Sequence, residues 1–176
     1  MLLQWEHVLG AIASAAKSQG NSVTRENVLM TSLLYYATAF CIGRLMRFFV
    51  SQATRGSKNG SLLQALLYDF VTSFQLMSIS LENGQLRKHY GDNAYIFALF
   101  CTGAWAYFTI DKGRANPCTC VVEYMKGSYS ARYALLSGLV QLCGGLLSYP
   151  YARAFWNLGL TRSHWQRFLA IGKIIG

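Results

Sequence analysis

An all-α, multi-span membrane helical bundle is the fold the sequence predicts, and three observations predict it. Charged residues make up 13% of the chain against 53% hydrophobic ones, whereas a soluble domain carries roughly 25% charged residues. Four stretches, 27–50, 61–81, 93–110 and 131–158, hold few or no charges, and about 20 such residues suffice for a helix to cross a bilayer. Aromatic residues reach 14%, as expected where Trp and Tyr gather at the membrane–water boundary.

The first of these stretches runs from Asn27 and ends among Arg44 and Arg47, whose long side chains are expected to snorkel to the interface. Thr24 is placed to cap it. Before it, residues 1–16 form a short amphipathic segment with no basic leader, and the polar residues 17–27 are a linker. A basic loop, 51–60, follows; its Asn59-Gly60-Ser61 sequon matters only on a lumenal face. The second span carries Asp69 among apolar residues, with Gln64 and Gln75. A carboxylate at that depth is costly unless it faces protein or water. Two roles compete for it: a structural acid bonded to the backbone of a neighbouring loop, or a proton-relay acid. Residues 82–92 are a polar loop, and 93–110 make the third span, with Ala98, Gly103, Ala104 and Ala106 suited to close packing. In the fourth span Gly138, Gly144 and Gly145 allow close approach, and Pro150 bends or ends the helix. The tail, 159–176, holds no complete span.

Sixteen basic residues against seven acidic ones give a net charge of +9. The basic residues fall between the apolar stretches and form no groove, so loop charge that sets topology explains them better than nucleic acid does. The five cysteines are odd in number and irregular in spacing, which implies no disulfide framework. Cys118 and Cys120 lie closer than paired zinc ligands usually do, and His7, His89 and His164 are scattered, so no metal or other cofactor is expected. Asp69 and Asp111 are acids without a nucleophile–base pair, and an enzyme is not the expectation.

The informative motif is Asn116-Pro117-Cys118, between the third and fourth spans. Asn is a preferred N-cap and Pro is favoured at the first helical position. The two therefore predict a short helix over 116–126, with Gly127 placed to stop it. Such a helix can dip into a membrane where its backbone is buried in protein or lines a water path. Its N-terminus carries roughly half a positive charge, which favours neutral hydrogen-bonding solutes or anions and opposes cations. On its own, Asn-Pro more often opens an ordinary surface helix.

Asn116-Pro117-Cys118 resembles the altered first Asn-Pro-Ala box of the unorthodox, aquaporin-11-like branch of the aquaporin family. Two flanking runs resemble that branch as well: Tyr68-Asp69-Phe70-Val71-Thr72-Ser73-Phe74-Gln75-Leu76, and Phe155-Trp156-Asn157-Leu158-Gly159-Leu160-Thr161 with His164 three residues on. Gln141-Leu142 is similar to its Ala-Gln-Leu region. The resemblance covers 61–165 and implies the first half of the aquaporin hourglass, with 1–60 holding an extra N-terminal helix and 166–176 a truncated tail. It implies that Asn116 is the pore asparagine, that Pro117 starts the re-entrant half-helix, and that Cys118 stands where most members have Ala. A thiol there either fills space or serves gating. Asp69 takes the place of the family's longer loop-bracing Glu.

The function implied is a channel for water or small neutral solutes such as glycerol or hydrogen peroxide. The lipid bilayer is its surroundings, a homotetramer its assembly, and the endoplasmic reticulum or another intracellular membrane its location. With the extra helix the N-terminus is lumenal and loop 51–60 cytosolic. No second Asn-Pro occurs in these residues, so the resemblance implies a fragment of a longer product; the alternative is a non-conducting adaptor or half-channel that pairs with another chain.

Overall fold

The computed structural model describes residues 25–55, 60–110 and 112–175. The expectations for residues 1–16, Thr24, Asn59 and Asp111 lie outside them. Six helices follow one another: α1 (Arg25–Ala53), α2 (Gly60–Tyr90), α3 (Asp92–Thr109), α4 (Pro117–Met125), α5 (Ala131–Asn157) and α6 (Arg162–Ile175), with no strand among the described residues.

The surface of this bundle is inverted relative to a water-soluble protein. Met30, Phe48, Phe97, Phe100, Phe108 and Leu146 are exposed, while Ser32, Gln75, Ser78, Glu82, Gln141 and Ser148 are buried. In water this would leave a large apolar patch on every side. In lipid it is the expected arrangement, because hydrocarbon gives apolar side chains no reason to turn inward and polar ones bond across helix seams. Two helices, Val28–Ala53 and Gly60–Tyr90, are long and apolar enough by length and composition to cross a membrane. At 1.5 Å per residue, the 29 residues of α1 reach roughly 43 Å, beyond the roughly 30 Å of a hydrocarbon core.

α2 is the hub, packing most extensively against α5 and then against α1 and α3. The α2–α5 seam is closest at Gly144, where a Cβ would stand 2.3 Å from the Phe70 carbonyl oxygen. The neighbour there is backbone and cannot swing aside. Gly144→Ala should therefore cost about 1–3 kcal/mol through overpacking, seen as a lower thermal unfolding midpoint in detergent. Gly138→Ala, which meets open space, should leave the midpoint unchanged or raise it, since Ala favours a helix over Gly.

Two sequence expectations need correction, the loop over 82–92 and the outward Arg47. Residues 82–92 are not a loop: α2 continues to Tyr90, because Glu82, Asn83, Gln85 and Leu86 are all buried in the bundle and keep the chain helical. The break is Gly91 alone, at φ +86°, a left-handed conformation that glycine adopts without steric cost. Pro150, expected to bend or end its helix, lies inside α5, which runs on to Asn157. Arg47 does not snorkel outward like the exposed Arg44; it turns inward to Gln75 and Thr72. The tail, in which no complete span is expected, carries the 14-residue helix α6, held at its start by buried Ser163 and His164.

Candidate functional site

Asn116 occupies the N-cap of α4 with extended backbone angles, and Pro117 follows at the head of the helix. The Asn116 Oδ1 accepts a hydrogen bond from the Cys118 N–H at 3.0 Å, which satisfies one of the four donors that a helix start leaves open. That leaves the Asn116 amide nitrogen able to donate, and Asn116, Pro117 and Cys118 are all exposed. At the other end Gly127, at φ +76°, turns the chain and donates its N–H to the Tyr124 carbonyl at 2.9 Å.

The chain entering α4, residues 112–116, is a strap stitched to α2. Asp69, only 3% exposed, accepts on Oδ1 the Arg114 backbone N–H at 2.7 Å. Its Oδ2 accepts the hydroxyl of Ser137 on α5. One turn along α2, Thr72 Oγ1 donates to the Lys112 carbonyl at 3.3 Å. Gly113, at φ +103°, lets the strap lie flat on α2: a Cβ there would meet Thr72 Oγ1 and the Tyr68 carbonyl at 2.3 and 2.4 Å. The carboxylate thus grips the strap two residues before Asn116, between α2 and α5. Around Ser137, Gln141 Nε2 donates to Ser137 Oγ at 3.1 Å and lies 3.3 Å from the buried Cys120 Sγ. The Arg114 guanidinium leaves the strap and lies over the Tyr129 ring, 4.9 Å from its centroid.

Of the residues the sequence singles out, Asn116, Pro117 and Cys118 stand together at the head of α4, and Asp69 stands behind the strap that leads to them. Ser137, Thr72, Gly113 and Cys120 complete the site without having been singled out for it. One signal was available: Thr72 lies three positions after Asp69, on the same helix face.

A second buried polar cluster centres on Glu82, which the sequence reading did not single out, although Trp156, Thr161 and His164 stand in one of the runs that carry the resemblance. Glu82 is fully buried. Its Oε1 accepts from Ser32 Oγ of α1 at 2.7 Å and pairs with His164 Nε2 of α6 at 2.8 Å. Its Oε2 accepts from Trp156 Nε1 of α5 at 3.1 Å, and the other ring nitrogen of His164 bonds Thr161 Oγ1. Glu82 lies thirteen residues after Asp69, roughly 20 Å further along α2. Among the described residues no three potential metal ligands come together.

Helices long enough to span, polar seams and an apolar exterior define an integral membrane protein of the all-α bundle class. Two curated proteins are similar to it. One is named "Aquaporin-11", from Milnesium tardigradum, 29% identical over 136 residues that are 77% of this chain and 49% of the relative. The other is named "Putative aquaporin-10", from Caenorhabditis elegans, 26% identical over 131 residues, 74% of this chain and 45% of the relative. These similarities support a relationship to the aquaporin family. It spans about half the length of the curated relatives it matches. No family model matches it, and no solved structure matches it.

Proposed function

We propose that the chain carries the first half of an aquaporin-type channel for water or small neutral solutes, with α4 as a re-entrant half-helix and Asn116 at its pore-facing head. One observation carries this reading: a short helix begins at an exposed Asn-Pro and is anchored, two residues upstream, by a buried carboxylate on a long apolar helix. That geometry puts an amide donor and the positive end of a helix dipole at the tip of a braced element. A passing neutral solute would be offered a hydrogen bond there, and a cation would be opposed. In this reading α2, α3 and α5 are the spans of the half-channel, α1 is an additional span, and the membrane is intracellular, with the endoplasmic reticulum first among candidates.

The test is stopped-flow swelling of proteoliposomes containing the full-length protein. Asn116→Asp keeps a good N-cap but replaces the neutral donor with an anion. Water permeability should fall about tenfold, which is what one hydrogen bond of roughly 1.4 kcal/mol controls. Unchanged permeability in that variant would remove Asn116 from the pore.

The alternative reading is a half-channel that conducts only beside another chain. Under it, the chain reconstituted alone swells no faster than empty vesicles, yet it co-purifies with a complementary aquaporin subunit.

A further inference from the structure

We infer that Arg47 positions the Asn116 half-helix, which gives the additional helix α1 a part in building the site. The reading deepens the proposed function and rests on it for the importance of Asn116. Arg47 Nη1 donates to Gln75 Oε1 at 2.7 Å, and Nη2 donates to Thr72 Oγ1 at 3.1 Å. Thr72 in turn donates to the Lys112 carbonyl of the strap. A relay therefore runs from α1 through α2 into the segment that enters α4, ending two residues from the backbone N–H that Asp69 holds.

Each part of the relay is shaped for it. Thr72 Oγ1 has one proton to give and lone pairs to receive with. When it accepts from the guanidinium, its own proton is directed to Lys112. Gly43 on α1 makes room for the acceptor amide, because a Cβ there would stand 2.3 Å from Gln75 Oε1. Gly113 makes room for the same hydroxyl on the strap side. The guanidinium's planar fork reaches two oxygens on one face of α2 at once, which an ammonium cannot do in the same geometry. A cation turned inward from a spanning segment is costly, and such residues mark functional sites more often than packing.

Arg47 is a positioning residue under this proposal: it touches no solute and acts through Thr72 on residues 112–116. The buried thiol of Cys120 on α4 reports that position directly, with no need for conduction, so failure here is distinguishable from failure of the channel reading. In lipid nanodiscs, with Cys41, Cys101, Cys118 and Cys143 replaced by alanine, a water-soluble maleimide reads Cys120. Loss of the relay should raise its labelling rate about fivefold, the effect of weakening local closure by one hydrogen bond. Thr72→Val, a milder change that keeps Arg47 on Gln75, should give a similar rise. The double variant should add nothing to either. Arg47→Lys, able to reach only one oxygen, should fall between Arg47→Ala and the unsubstituted protein. Tyr36→Phe breaks a buried bond to Asn83 at the far end of the bundle; it should lower the unfolding midpoint and leave Cys120 labelling alone. Labelling at the unsubstituted rate in both Arg47→Ala and Thr72→Val overturns the proposal, as does an equal acceleration in Tyr36→Phe.

Discussion

Asp69→Ala should be among the most damaging single changes this chain can suffer, and the damage should have two separable parts. The first is stability. Truncation leaves the Arg114 N–H and the Ser137 hydroxyl without their acceptor in a position nearly closed to solvent. Each buried group left unsatisfied costs about 1–3 kcal/mol, so the pair together should lower the unfolding midpoint in detergent by roughly 10 °C at the scale of a chain this size. The second part is position. With Asp69 gone, the strap keeps the Thr72 bond to Lys112 and loses the grip nearest Asn116. Maleimide should then reach Cys120 faster in folded protein, below the unfolding transition. Asp69→Asn separates the two: an amide oxygen still accepts from Arg114, and its NH2 can donate to a Ser137 hydroxyl turned to receive it. That variant should retain most of the stability and most of the slow labelling. If Asp69→Ala melts with the unsubstituted protein, the carboxylate braces nothing.

Why this site was partly legible in advance, and the rest of the polar interior was not, follows from the range of the interactions. Capping is local: Asn116, Pro117 and Gly127 mark the ends of α4 through chemistry reaching one to four residues along the chain. Asp69 was conspicuous because a charge in an apolar run is costly wherever it points. Its partners, at positions 114 and 137, lie 45 and 68 residues away, and no local pattern names them. Glu82 was hidden for the opposite reason. It sits among Asn83, Gln85, Arg87 and Lys88, a polar run indistinguishable from a solvated loop until Ser32, Trp156 and His164 are brought to it from 50, 74 and 82 residues away. Arg47 misled in the same way. At the end of an apolar stretch the interface is the default destination for a long cation, and only the presence of Gln75 and Thr72 across the seam turns it inward.

Glu82→Ala carries the other large expected effect, and its outcome bears on how the bundle is divided. Three helices converge on this one carboxylate: α1 through Ser32, α5 through Trp156 and α6 through His164. Each buried group left without its acceptor costs about 1–3 kcal/mol, because it has lost water as well as its partner. Here those groups are a hydroxyl, an indole N–H and an imidazole, all shut from solvent. The unfolding midpoint should fall at least as far as in Asp69→Ala, and α6 should become the first element opened to limited proteolysis, since His164 fixes its first turn. Glu82→Gln keeps one oxygen to receive a bond and should recover part of the loss. Labelling of Cys120 distinguishes the two ends of α2. With the clusters roughly 20 Å apart on one helix, their effects on stability should add within about 0.5 kcal/mol, while only the Asp69 change should expose the thiol. An equal acceleration of labelling from Glu82→Ala would mean that the strap and the far end of the bundle open as one unit. The half-helix would then be held by the integrity of the whole bundle, and not by the carboxylate behind it.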